Sequence, residues 1–414
     1  MPTHVVTVFL RHGTDVLLLQ RSDDVGSYPG TWGAVAGHAE GDPDAQARVE
    51  IEEETGLGDA VTLVRRGDAV EVVDDDHDTW VVHPYLFDCE SRAVDVDWET
   101  AAHEWVPPTE ILRRDTVPDL WQSYDAVRPT VETVAADDEH GSAYISLRAL
   151  DVLRDEAAVA ADADDSSGWR ELADTARRLI EAKPGMAVVR NRVNRAMATA
   201  ARTPSGVEAA AREVAADAVD ADSRAAERAT AELEASDASR VFTLSRSGTV
   251  DAALRGTGVE RVLVAESRPG GEGVAVAESL ADDFDVTLTI DANVPAAVAE
   301  ADAVMVGADA VFPDGDVVNK VGTRAALLAA RAAGVPAFVV CAADKIAPER
   351  LPVEDGDPAG LYDGDAGLDV RNPVFEVVPA GLVDAVVTEQ GVLDDAAVES
   401  LAVERRDWAA WQSE

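Results

Sequence analysis

Lysine is nearly missing from this chain: Lys183, Lys320 and Lys345 are its only lysines, and arginine supplies the rest of its 35 basic residues. Against 80 Asp and Glu this leaves a formal net charge of −45. So few cations exclude direct nucleic-acid binding, which needs Lys/Arg patches against the phosphate backbone. Cysteine is almost as rare. Cys89 and Cys341 lie far apart in sequence and build neither a disulfide framework nor a cysteine-based metal cluster. No apolar run approaches membrane-spanning length, and no basic-plus-apolar leader opens the chain. The expectation is a soluble cytoplasmic protein with no membrane partner.

The acids are spread along the whole chain, so they do not form an interaction tail. Charge of one sign at this density repels itself unless salt screens it, and near 1 M salt the screening length falls to about 3 Å. Excess Asp and Glu, scarce Lys and an Ala/Val-rich interior predict a halophilic protein, as in a haloarchaeon's cytoplasm. Apolar residues make up 47% of the 414 positions, enough for two or three cores.

Three regions separate along the chain. Residues 1–133 mix strand patterns (VVTVFL, DVLLLQ, WVVHPYLF) with one strongly acidic helix. Residues 134–238 read as Ala-rich helices, broken at ADADDSSGW near Asp164 and at TPSG from Thr203. From 239 to 414 short apolar runs alternate with helices: RVFTLS, RVLVAES, DVTLTID, AVMVGAD, AFVVCAAD and DAVVTE. That alternation predicts an α/β fold with a doubly wound parallel, Rossmann-like sheet.

Residues 37–57 read GHAEGDPDAQARVEIEEETGL. Pro43 suits a helix's first turn and Gly56 its end. Between them Glu50, Glu53 and Glu54 fall at i, i+3 and i+4, on one face. Clustered carboxylates repel unless a cation sits among them, and oxygen-only ligands suit Mg²⁺ or Mn²⁺. A solvated acidic face is the competing account. The segment resembles the Nudix box: Gly37 takes the loop glycine, and Glu50, Ile51, Glu53, Glu54, Gly56 and Leu57 match the helix. The resemblance implies an α/β/α sandwich over residues 1–133 that hydrolyses a nucleoside diphosphate derivative. Glu53 and Glu54 would be catalytic, and Glu50, Glu53 and Glu54 would hold the metal. Two departures stand out. The loop after Gly37 is shorter than usual, and the arginine position holds Val49, with Arg48 beside it. Glu104 is a candidate base outside the box.

Residues 301–324 read ADAVMVGADAVFPDGDVVNKVGTR. The pattern predicts a buried strand ending near Asp309, then a loop with Asn319 and Lys320, then a helix opened by Gly322 and Thr323. A helix start beside a lysine suits a phosphate. In order along the chain, TLSRSGTV, ESRPGGEG, GAD, NKVGT and VVTEQG are similar to motifs of the initiation factor 2B alpha/beta/delta family. That family includes isomerases of ribose 1,5-bisphosphate and methylthioribose 1-phosphate. The resemblance spans about residues 138–395, including the helical stretch through HGSA and KPGMAVVRN. It implies a homo-oligomer whose pocket binds a sugar phosphate or nucleotide through Ser245, Ser247, Gly248, Arg268, Asn319, Lys320 and Lys183, with Asp309 as the catalytic aspartate. Here too the chain departs from the pattern. Ser245 takes the cysteine position, Glu272 the glutamine position, and His140 and Lys183 fall near arginine positions. Arg268 has an alternative role as an ion-pair partner of Glu266 or Asp291. Three functions stay open: a Nudix diphosphatase joined to a phosphate-ligand pocket, a non-catalytic initiation-factor-2B-like binding protein, and an aldose–ketose isomerase.

Overall fold

The computed structural model describes residues 2–39, 41–73, 79–163, 168–353 and 355–413. The break expected at Asp164 lies outside the described residues. The chain forms two compact α/β units. One comprises residues 1–133, 151–172 and 201–212, and the other 134–150, 173–200 and 213–414. Packing therefore divides the helical stretch between the units. Among the described residues no helix is long and apolar enough to cross a membrane.

In the first unit Thr3–His12 (β1) and Asp15–Arg21 (β2) pair as an antiparallel hairpin, turned at Gly13 with φ +66°. Then come Trp32–Gly33 (β3), Val35–His38 (β4), helix Pro43–Thr55 (α1), Val61–Arg66 (β5), Val70–Val72 (β6), Trp80–Cys89 (β7), Thr100–Val106 (β8) and helix Leu120–Asp125 (α2). Among the described residues the strands make one eight-stranded sheet of order β3-β2-β1-β7-β5, with β4 on β1, β6 on β7 and β8 on β2. Side chains alternate across it, as strand geometry requires. Val6, Val8 and Leu10 pack with Ala47 and Ile51 of α1, while Phe9 packs with Leu120 and Tyr124 of α2. The result is the expected sandwich.

Helices Val131–Ala136 (α3), Ser142–Asp162 (α4), Gly168–Ala182 (α5), Ala187–Thr199 (α6) and Pro204–Ala235 (α7) follow. The second unit then builds a sheet from Arg240–Leu244 (β9), helix Gly248–Arg255 (α8), Arg261–Ala265 (β10), helix Glu272–Leu280 (α9), Asp285–Thr289 (β11), helix Val294–Glu300 (α10) and Ala303–Gly307 (β12). Ala310–Val311 (β13) and Val317–Lys320 (β14) come next, before helix Thr323–Ala333 (α11), Ala337–Val340 (β15), Phe375–Val378 (β16), Ala385–Thr388 (β17), Gly391–Leu393 (β18) and helix Asp395–Trp408 (α12). The large sheet has order β11-β10-β9-β12-β15-β17-β18 and is parallel except for the final hairpin. Both its faces are covered: Phe242 and Val304 belong to one core, Val241 and Met305 to the other. Hence the inner strands β9, β10, β12 and β15 read as largely apolar runs rather than alternating ones.

One expectation needs correction. Asn319 and Lys320 do not sit in a loop. They end β14, the middle strand of a separate sheet of order β13-β14-β16, and both are buried. The polar, Gly-containing FPDGD turn hid this hairpin, because β13 is only two residues long.

Candidate functional site

Each unit carries a candidate site. In the first, α1 begins where Asp42 accepts a hydrogen bond from the Asp44 backbone at 3.2 Å, with Pro43 in the first turn. It ends at left-handed Gly56, φ +66°, whose N–H donates to Glu52 O at 3.0 Å. The helix lays Glu50, Glu53 and Glu54 along a cavity of about 750 Å³. Glu54 is 9% exposed, and its Oε1 accepts from Ala36 N at 3.3 Å. Gly37 is required by close approach, since a Cβ there would meet Glu50 Oε1 at 1.9 Å. The loop glycine thus makes room for a carboxylate.

Sequence reasoning missed three contributors. Gln46, one turn before Glu50, donates to its Oε1 at 2.7 Å. Asp97 and Glu99, from the segment before β8, line the same cavity. Nothing in their local pattern marks them, because the sheet brings them to α1 from far along the chain. Glu104 is elsewhere: it is paired with Arg114 at 2.6 Å and does not line the cavity. Arg48 lies over the Phe87 ring, 5.4 Å from its centroid, and Val49 is 44% exposed.

Burial pushes the Glu54 carboxyl up to about 8, against the Ala36 hydrogen bond and with help from Glu50, Asp97 and Glu99. Burial also raises Glu50, opposed by the Gln46 hydrogen bond. Among the described residues no three His, Cys, Asp or Glu groups stand together as a formed metal site. The donor set still fits a hard divalent cation. Its acids are all oxygen donors, with the His38 imidazole also on the lining, and Arg21 is the one Arg or Lys among the described lining residues. Acid groups with too little compensating charge rise in pKa, and a bound cation reverses that.

In the second unit β9 and β12 are neighbours at the point where strand order reverses, the usual place for a ligand crevice in such sheets. Ser245 follows β9 in a left-handed conformation, φ +58°, and its N–H donates to Ser267 Oγ at 2.7 Å. Ser247 caps α8, its Oγ accepting from Val250 N at 3.4 Å, and Gly248 opens the helix. Asp309 follows β12 and accepts from Ser142 Oγ at 2.9 Å. Ser142 belongs to the HGSA motif, but its pairing with a residue so distant in sequence could not be read locally. Lys345 donates to Ala308 O at 2.5 Å, a structural role. Cys341 is buried, and burial pushes its thiol up to about 12, so it offers no ready thiolate in place of the absent cysteine.

The expected phosphate-binding cations are brought to this unit, but each already has an acid. Lys320 Nζ lies 2.6 Å from Glu272 Oε1. Lys183 Nζ lies 3.0 Å from Asp138 Oδ1 and 2.8 Å from Asp137 O. Arg268 pairs with Glu266 at 3.2 Å, the alternative expected for it, while its backbone N–H donates to Asp291. Asn319 donates to Thr323 Oγ1 at 2.9 Å rather than standing free. Even the start of α11 is filled: Glu376 Oε1 accepts from Gly322 N at 2.7 Å and Arg324 N at 3.0 Å.

These features define an α/β protein with an acidic helix cavity in one unit and a Rossmann-like crevice in the other. The chain belongs to the Initiation factor 2 subunit family, which it matches over residues 138–395, and it matches the NUDIX domain over residues 1–127. It is 30% identical over 304 residues to a ribose 1,5-bisphosphate isomerase of Haloterrigena turkmenica, covering 67% of this chain and 92% of the relative. A ribose 1,5-bisphosphate isomerase of Haloferax volcanii is 33% identical over 64% of this chain and 90% of its own length. Among solved structures, Pyrococcus horikoshii OT3 translation initiation factor eIF-2B superposes with a TM-score of 0.55 at 21% identity, over 64% of this chain and 94% of that one. The 5-methylthioribose 1-phosphate isomerase of the same organism gives 0.53 at 19% identity, over 74% and 89%.

Proposed function

We propose that the amino-terminal domain hydrolyses a nucleoside diphosphate derivative with Mg²⁺ or Mn²⁺, and that the carboxy-terminal domain binds a sugar phosphate or nucleotide. We assign these roles to residues 1–133 and to residues 134–238 with 239–414 respectively. The observation that carries the first half is Glu54: a buried carboxyl, raised by burial and by neighbouring acids, facing a cavity that also presents Glu50, Glu53, Asp97 and Glu99. Perturbed carboxyls in a cleft are the groups an enzyme tunes for proton and cation chemistry. When bound, the cation would supply charge neutralisation and acidify water for attack on phosphorus. Glu50, Glu53 and Glu54 would hold it. Gln46 orients Glu50, and Asp97 or Glu99, which line the same cavity, would take the proton from water. Tyr28, Trp80 and Trp98 also line the cavity. Trp98 is 66% exposed, which suits a face for stacking a nucleobase. The test is a phosphate-release screen over nucleoside diphosphate derivatives with Mg²⁺ or Mn²⁺ in molar salt. No turnover with any of them removes the diphosphatase reading.

A second reading, sugar-phosphate isomerisation, is favoured by the two ribose 1,5-bisphosphate isomerase relatives, each spanned over nine-tenths of its length. Asp309 at the crevice supports it. Ser245 weighs against it, since a hydroxyl exchanges protons far less readily than a thiol. If neither chemistry occurs, the chain acts as a binding protein. We also propose that it is a cytoplasmic protein of a halophile and a homo-oligomer through the carboxy-terminal domain. Leu288 and Ile290, exposed on and beside edge strand β11, support self-association. Light scattering in molar salt would reveal a monomer if that is wrong.

A further inference from the structure

The Lys320–Glu272 pair carries an inference about ligand choice. Lys320 ends β14 with its side chain 3% exposed. Glu272 is the first residue of α9, where the helix dipole favours a carboxylate. Its Oε1 takes the Lys320 ammonium, while its Oε2 is buried with no hydrogen-bond partner among the described residues. The pair also joins a series of contacts that runs from the Ser245 loop to Asp309. Ser245 N donates to Ser267 Oγ, Gly271 N to Ser267 O at 2.8 Å, and Asp309 N to Val318 O at 2.8 Å, two residues before Lys320. The Ser245 loop, the α9 start, β14 and Asp309 are thereby linked in one chain of bonds. Gly270 permits the carboxylate to fold back, since a Cβ there would approach it to 2.8 Å.

We infer that Glu272 is a specificity-determining residue: it fills the anion position at Lys320, so the pocket takes a ligand with one phosphate and hydroxyl groups in preference to a bisphosphate. A phosphate brought to Lys320 must either displace this carboxylate or stand against it, and like charges at such range repel strongly. A sugar hydroxyl does neither. It carries no charge to set against the carboxylate. Lys183 cannot readily make up the loss, because Asp138 already holds it.

This rests on the reading that the crevice binds phosphorylated sugars, and the test separates the two. Ribose 5-phosphate and ribose 1,5-bisphosphate are titrated calorimetrically into the full chain, into Glu272→Gln and into Glu272→Gln/Lys320→Met, in molar KCl. The expected result is that the unmodified chain binds ribose 5-phosphate. Glu272→Gln should bind the bisphosphate about tenfold tighter than the unmodified chain does, with ribose 5-phosphate changed less than about threefold. The double variant should lose that gain. The near-isosteric Gln keeps an acceptor for Lys320, and unchanged melting profiles confirm that each variant is folded. Bisphosphate affinity unchanged in Glu272→Gln, or a gain that persists without Lys320, overturns the inference alone. No binding of either sugar by any folded form overturns the pocket reading and the inference with it.

Discussion

The side-chain amide of Gln46 donates to Oε1 of Glu50 at 2.7 Å, one helical turn away. A helix brings i and i+4 together, so this contact follows directly from the spacing. It fixes the carboxylate that Gly37 accommodates, and it does so in a helix whose arginine position holds Val49. Groups that orient metal ligands matter nearly as much as the ligands themselves. Gln46→Ala should therefore lower metal-dependent diphosphatase turnover by about 10–100-fold while leaving the fold intact. Apparent Mg²⁺ affinity read from activity should weaken in parallel. Full activity at limiting Mg²⁺ would show that Glu50 needs no such support.

Glu54 links the cavity to pH. Its carboxyl is raised from 4.5 to about 8 by burial first, then by Glu50, Asp97 and Glu99. A carboxyl raised on folding stabilises the fold fully below its unfolded value, and the benefit is lost as pH climbs through the folded value. Without divalent cation, stability should fall between about pH 4.5 and 8, with a slope approaching about 1.4 kcal/mol per pH unit. Mg²⁺ favours the ionised form and should flatten that slope. Glu54→Gln should remove both the slope and the Mg²⁺ effect, and with them most hydrolysis. Thermal melts across pH with and without Mg²⁺ decide this. Identical curves for Glu54→Gln and the unmodified chain would clear Glu54 of the role.

Much of the architecture is legible in the amino-acid sequence. Pro43 and Gly56 bound α1, and the expected strands stand where the apolar runs lie, because local backbone chemistry and burial on two faces leave strong signals. What stays hidden is non-local. Asp97 and Glu99 reach the α1 glutamates only through sheet pairing, and Ser142 meets Asp309 only through the packing of α4. The partners of the cations are the harder case. Glu272 is readable as an anion at the crevice, but its direct contact with Lys320 depends on the β13–β14 hairpin, whose first strand is too short to show a period.

Ser245 tests the isomerase reading. It stands after β9 at the reversal of strand order, in the left-handed conformation, and Cys there exchanges the hydroxyl oxygen for a larger sulfur without changing backbone demands. A properly placed acid–base group is commonly worth about 10²–10⁴ in rate. Ser245→Cys should raise ribose 1,5-bisphosphate isomerisation by at least the lower end of that range from a trace level, and Asp309→Asn should abolish the gain. Rapid isomerisation by the unmodified chain would promote the isomerase reading over the others.

Salt should act on the whole chain. The formal net charge is −45, and most of the chain's cations are arginines. Many of these form pairs near the surface, such as Arg255–Asp251, Arg261–Asp285 and Arg350–Asp314. Such exposed pairs contribute little each, commonly under about 1 kcal/mol, and salt weakens them. Stability from these pairs alone would therefore fall as salt rises. Self-repulsion among the unpaired acids works the other way, since it grows as the screening length lengthens toward about 10 Å at 0.1 M. With 80 acidic against 35 basic residues, repulsion should win. The melting temperature should rise by about 10 °C or more between 0.1 M and 2 M KCl, a shift that a few kcal/mol produces in domains of this size. Guanidinium chloride is unsuited to the measurement because it is itself a salt, so urea melts at fixed KCl give the same comparison isothermally. A midpoint that stays flat or falls with added KCl would show that ion pairs outweigh repulsion, and the halophilic reading would be withdrawn.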